Sequence, residues 1–171
     1  MIRPGEIQKI AGKAHVRDTQ IEKDYILSWI LAGVSADETL FAALAFKGGT
    51  VLKKFYFEDY RFSEDLDFTL IESSMTAEQV KSSFEKVLEY VKDETNINLS
   101  LVDFDIHTTG NINFYIQYVG PLGGSGDNKR VKVDISPNEN LCYPVQSRQM
   151  FKVYTDVPEC KINCYSLDEV M

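Results

Sequence analysis

The segment Asp65-Leu-Asp-Phe-Thr-Leu70 alternates polar and apolar residues without a break, a period of two that specifies a half-buried β-strand. Asp65, Asp67 and Thr69 share one face, and Leu66, Phe68 and Leu70 share the other. Aspartates at i and i+2 have alpha carbons roughly 6 to 7 Å apart and carboxylates pointing the same way. Such a pair either sits in plain solvent, the usual state of strand aspartates, or holds hard divalent cations such as Mg²⁺ or Mn²⁺. A third acid is available at Asp134. It lies in the otherwise apolar strand Val131-Lys-Val-Asp-Ile135, where an aspartate is costly unless partnered.

Upstream, the short strand Ala45-Phe-Lys47 runs into Gly48-Gly49, after which Thr50 to Phe57 reads as a helix with Thr50 at its start. Bare amides at a helix N-terminus bind phosphate, and absent side chains let a triphosphate approach. Alone, Gly48-Gly49 is more simply a tight turn, and the spacing of a Walker P-loop is missing.

The remaining elements follow from periodicity and capping. Thr19-x-x-Glu22 predicts a capping box for a helix carrying Ile21, Tyr25, Ile26, Trp29 and Ile30, and a second helix runs from Asp37 towards Leu44. Thr76-x-x-Gln79 starts a helix with a stripe of Val80, Phe84, Val87, Leu88 and Val91. Residues 98–107 and 111–119 alternate as strands around a turn at Thr108 to Asn111. In the strand 131–135, Val131, Val133 and Ile135 point inward, with Lys132 and Asp134 opposite. Ser166-x-x-Glu169 predicts a capping box for a last helix.

With 171 residues and no linker-like tract, a single domain over 1–171 is expected. The longest apolar run, Leu40 to Phe46, is too short to span a bilayer. Cys142, Cys160 and Cys164 form no Cys-x-x-Cys pair, so reduced thiols and a cytoplasmic location without membrane contact are expected. The formal net charge of −8 repels nucleic acid and disfavours a DNA-coating protein, though bound cations reverse the sign locally.

The order of strand, glycine turn, helix, Asp-x-Asp strand and later strand aspartate resembles the polymerase-beta-like nucleotidyltransferase superfamily. Phe46-Lys-Gly-Gly-Thr-Val-Leu52 and Arg61-Phe-Ser-Glu-Asp-Leu-Asp-Phe68, with Glu22-Lys-Asp-Tyr25 ahead of them, resemble the AbiEii/AbiGii toxin family within it. That resemblance implies an α+β fold, a mixed β-sheet flanked by helices. It implies transfer of a nucleoside monophosphate from an NTP to an acceptor, tRNA being one possibility, by a toxin restrained by a cognate antitoxin. Lys47, Gly48, Gly49 and Thr50 would bind the nucleotide, supported by Arg61 and Ser63. Asp65 and Asp67 would bind metal, with Asp134 as third carboxylate of a catalytic triad of acids. Family members continue into a helical C-terminal region with a lysine-containing motif, and this chain is expected to lack it from near 166. The alternative is a catalytically incomplete nucleotide-binding or partner-binding module; phosphoester hydrolysis on the same carboxylates is a competing chemistry.

Other features stay with their simpler readings. His15 and His107 have no ligand-spaced neighbours. The loop Gly123-Gly-Ser-Gly126 is a flexible connection. Phe55-Tyr-Phe57 and Tyr60 either stack a base or, more commonly, pack inward. Lys53, Lys54, Arg61, Lys129, Arg130 and Lys132 make either a basic patch for an RNA acceptor or, equally, an ordinary solvated surface.

Overall fold

Alternating strands that bury one face each need a common apolar layer, and here a single sheet supplies it. The computed structural model describes residues 1–137 and 139–171. Strands β1 (Leu44–Lys47), β2 (Asp65–Leu70), β3 (Asn98–Ile106), β4 (Ile112–Val119), β5 (Arg130–Pro137), β6 (Gln146–Gln149) and β7 (Lys161–Cys164) form one sheet in the order β3-β4-β5-β2-β1-β7-β6. Two pairings are parallel, β2 with β5 and β1 with β7; the other four are antiparallel. The sheet is therefore mixed, as expected.

Helices α1 (Pro4–Ala14), α2 (Asp18–Ala36), α3 (Glu38–Ala43) and α5 (Ala77–Thr95) accompany it, with a short α4 (Gly49–Val51) after β1 and a terminal α6 (Leu167–Val170). Helix α5 forms as its sequence requires. Thr76 and Gln79 complete the reciprocal capping box, the Val80-to-Val91 stripe is buried, and Asn96 closes the helix at φ 63°. Phe84 seats that stripe on the sheet, edge-on to Phe68 and Phe114 with centroids 6.2 and 5.0 Å away. Burying each such ring contributes roughly 1.5–3 kcal/mol. The turn between β3 and β4 closes where expected, with the His107 amide donating to the Asn111 carbonyl at 2.8 Å.

Four expectations change on folding. The Thr19–Glu22 capping box does not form; α2 starts at Asp18 behind Arg17 with no side-chain cap. Glu22 lies instead on a buried face, paired with Lys129 and accepting the Leu122 amide at 2.6 Å. The helix after the glycine turn is not regular, because α4 passes into a π-helical turn over Leu52–Tyr56, closed by the Phe57 amide on the Leu52 carbonyl at 2.7 Å. The wider turn keeps Val51, Leu52, Lys54 and Phe55 all inside. The last capping box is half formed: Ser166 accepts the Glu169 amide, while the Glu169 carboxylate accepts the amides of Cys142 and Tyr143. Strands β6 and β7 were not foreseen. All three cysteines are free.

Candidate active site

The parallel pairing of β2 with β5 sets the site. Asp67 stands opposite Asp134, and Asp65 opposite Lys132. Neighbouring strands extend the first pair in both directions, Lys47 pairing with Asp67 and Asn113 with Asp134. A single cross-strand row thus reads Lys47, Asp67, Asp134, Asn113, on the sheet face away from α5. The apolar residues of the same strands, Phe46, Leu66, Phe68, Val133 and Phe114, are fully buried on the other face.

Each end of the row is held. The Asn113 amide donates to Asp134 Oδ1 at 2.7 Å, and Lys132 Nζ lies 3.5 Å from Asp134 Oδ2. The Asp134 carboxylate in turn raises the Lys132 ammonium above its ordinary value. Lys47 forms an ion pair with Glu139, which also accepts from Thr69 and Tyr165. Burial pushes the Glu139 carboxyl up, but hydrogen bonds from Lys47 and Tyr165 outweigh it and leave it lowered.

The middle of the row is under strain of charge. Burial raises the Asp67 carboxyl above the ordinary range, and Asp134 and Asp65 push it further. Asp65 is also raised, by burial first, with Asp134 and Glu64 adding to it against the relief from Lys132. Like charges on one face disfavour ionisation of each other. Oxygen donors that repel in this way suit a hard divalent cation, which removes the repulsion. Among the described residues, no three acidic, histidine or cysteine side chains are yet gathered closely enough to hold a metal ion. Asp134 is committed to Asn113 and Lys132, so a cation shared by all three acids requires its carboxylate to turn.

The glycine turn abuts this row. Gly48 has φ 84°, and a Cβ there would fall 2.7 Å from Asp67 Oδ2, so both backbone and space demand glycine. At Gly49 a Cβ would meet Ser63 Oγ at 3.4 Å and Arg61 Nη2 at 3.9 Å, which gathers Gly49, Ser63 and Arg61. Thr50 is buried and its hydroxyl donates to the Asp65 carbonyl at 2.6 Å. That bond pins the turn to β2 and leaves the hydroxyl no free hydrogen to donate.

The basic cluster does not form a patch. Lys54 and Lys129 are buried against Asp24 and Glu22. Arg130 pairs with Asp103 and Asp127, Lys53 lies over the Phe62 ring, and Lys132 belongs to Asp134. The opposite signs interleaved in the sequence have paired. Of the aromatic run, Phe55 is buried and Phe57 is exposed, and the Tyr56 hydroxyl donates to the Tyr165 carbonyl at 2.7 Å. Sequence reasoning missed Asn113, Glu139 and Tyr165. Asn113 was within reach, since it alternates with Ile112 and Phe114; Glu139 and Tyr165 lie outside regular elements and carry no periodic signal.

Among the described residues no helix is long and apolar enough to cross a membrane. The crystal structure of JHP933 from Helicobacter pylori is similar in fold, with TM-score 0.55 and 17% identity over 90% of this chain. The match covers 55% of JHP933, so this chain spans about half the length of that protein. No curated protein matches. The family described as nucleotidyl transferase AbiEii toxin, type IV toxin–antitoxin system, matches residues 29–171. With most of the chain matched, including the glycine turn and both aspartate strands, this protein belongs to the AbiEii nucleotidyl transferase toxin family.

Proposed function

We propose that this protein transfers a nucleoside monophosphate from an NTP to an acceptor hydroxyl, with pyrophosphate leaving. The supporting observation is the register that sets Asp67 beside Asp134 and places Gly48 against the Asp67 carboxylate. Asp65, Asp67 and Asp134 fit Mg²⁺ or Mn²⁺ as ligands. A cation bound there neutralises the acids and polarises phosphoryl oxygens.

The chain's own residues supply the rest. The Gly48-Gly49 backbone lets phosphates approach without a side chain between, while Arg61 and Ser63 beside Gly49 offer donors to them. Lys47 contributes positive charge at the end of the row once phosphate competes with Glu139. Thr50 acts as a positioning residue, fixing the turn on β2. Asn113 and Lys132 act as positioning residues that hold Asp134 in the row beside Asp67, from which its carboxylate turns to a bound cation. Orientation of this kind supplies a large part of phosphoryl-transfer catalysis.

An RNA acceptor, tRNA among the candidates, fits the toxin family, as does a cognate antitoxin that restrains the activity, with the cytoplasm as the compartment supplying NTP. Incubation with labelled NTP, Mg²⁺ and bulk RNA tests the chemistry. Label joining the RNA supports transfer, whereas label released as free phosphate or nucleotide identifies phosphoester hydrolysis. A binding-only module would bind NTP by calorimetry, lose it in Asp67→Asn, and transfer nothing.

A further inference from the structure

Past Asn113 the acidic row gives way to an open stretch of the same sheet face. Along β4 the alternation continues, with Ile112, Phe114 and Ile116 buried and Asn113, Tyr115 and Gln117 half-buried on the face of the acids. Tyr115 pairs with Lys132 on β5 and with Val102 on β3, and Gln117 pairs with Arg130. The Arg130 guanidinium lies 5.7 Å from the centre of the Tyr115 ring. Its ion-pair partners Asp103 and Asp127 are 64% and 95% exposed, and such surface pairs are weak enough to exchange for another anion. A tyrosine therefore stands on a solvent-facing sheet surface, with two side-chain amides and two cations around it.

The stereochemistry of phosphoryl transfer says what would approach that surface. Attacking and leaving oxygens lie roughly in line through phosphorus. Gly48 meets Asp67 from the β1 side, so a triphosphate on the glycine turn, and the pyrophosphate leaving it, occupy that side of the row. The attacking hydroxyl comes from the opposite side, over Asp134, and the molecule that bears it extends across Asn113 and Tyr115. With strands ~4.8 Å apart and a two-residue rise of ~6.8 Å, the Tyr115 alpha carbon lies roughly 8 Å from that of Asp134, a span that one nucleotide covers. Two cations in a chain of net charge −8 are too few to hold a long polyanion. Stacking on an aromatic ring of an open sheet needs little charge and accepts any base.

We propose that Tyr115 stacks the terminal base of an RNA acceptor and so brings its hydroxyl over Asp134, with Gln117 and Arg130 meeting the sugar and phosphate behind that base. The inference rests on the transfer reading above and deepens it, because it names the residue that holds the acceptor and the part of the acceptor that is held. The backbone of one or two nucleotides is all that the two cations serve.

Two short RNA oligomers, identical except that one is abasic at its last nucleotide, test this with the full chain, Mg²⁺ and NTP. Tyr115→Leu keeps an apolar side chain on the strand. It should raise the KM for the ordinary oligomer about 5- to 100-fold, leave the KM for NTP unchanged, and erase the difference between the two oligomers, while Tyr115→Phe behaves as wild type. A merely structural tyrosine would move both KM values together. Direct binding of the same oligomers, read by fluorescence anisotropy without NTP, separates this inference from the reading beneath it. If wild type transfers nothing, yet prefers the ordinary oligomer and loses the preference in Tyr115→Leu, the transfer reading falls and the stacking stands. If transfer proceeds while Tyr115→Leu leaves the acceptor KM unchanged, transfer stands and the stacking falls. Equal use of the abasic oligomer by wild type, or no binding of either oligomer, also overturns the proposal. Should Tyr115→Leu fail to fold, 4-thiouridine at the last position of the oligomer, irradiated on wild type, decides: cross-linking at Tyr115 supports stacking, and cross-linking elsewhere or nowhere overturns it.

Discussion

Two sets of acids lie a few residues from one another in the fold and are treated in opposite ways. Glu22 and Asp24, inside α2, are fully or almost fully buried and each is matched by a lysine, Lys129 or Lys54. Asp65 and Asp67 are more open, yet they face each other and Asp134 with too little positive charge, and both carboxyls are raised. Full burial with a lysine matched to each acid ties segments together: Glu22 holds the loop before β5, where Gly120 passes so close that a Cβ would sit 2.8 Å from the carboxylate. Partial burial with deficient compensation leaves charge to be completed by something outside the chain. Compensation, more than burial, separates the acids that build from the acids proposed to act.

The largest effect should come from breaking the first kind. Lys54→Met strands Asp24 in the interior, and urea unfolding should show a loss of about 3–5 kcal/mol, while the double variant with Asp24→Asn recovers most of it. A small loss would mean that Asp24 belongs with the under-compensated acids.

Breaking the second kind should do the reverse. Asp67→Asn is expected to cut nucleotidyl transfer about 10²- to 10³-fold while leaving the unfolding midpoint equal or higher, because a repelled charge is gone. A loss of stability matching the loss of activity would erase the distinction.

Acidity sharpens it further. A carboxyl raised in the folded state makes the fold bind protons more tightly than the unfolded chain, so its contribution is full at low pH and is lost as pH rises through the raised value. With divalent ions chelated, Asp67→Asn should exceed wild type in stability near pH ~7, and the gap should close towards pH ~4. A gap that widened on acidification would place Asp67 among the comfortable anions. Glu139, lowered by Lys47 and Tyr165, runs the other way: its contribution is present at neutral pH and fades on acidification.

The smallest effect belongs to the orienting groups. Asn113→Ala removes one charge-assisted hydrogen bond to Asp134, worth about 1.5–3 kcal/mol at most, and should slow transfer about tenfold with the KM for NTP nearly unchanged. A change in KM alone would show Asn113 to touch substrate instead.

Much of this was legible in the sequence because it was written in short periods. The alternation at Asp65–Leu70 and at Val131–Ile135 placed the acids on one face each, and the Val80–Val91 stripe placed α5 behind them. What periodicity cannot carry is which strands pair: nothing local to Asp134 names Asp67 as its neighbour. Glu22 failed for a related reason. Three positions after Thr19 its spacing matched a local cap, but a lysine more than a hundred residues away claimed it. Lys54 and Lys129 were unreadable singly for the same cause, since their partners, Asp24 and Glu22, are distant in the sequence.

The parallel union of β2 with β5 also has a temporal meaning. Asp67 is made early, and an entire helix and hairpin must be synthesised before Asp134 exists to stand beside it. A nascent chain stalled anywhere in that interval carries the glycine turn and two acids but lacks the last strand of the proposed centre. Non-local parallel pairings close slowly, so the proposed centre would be completed late in biogenesis.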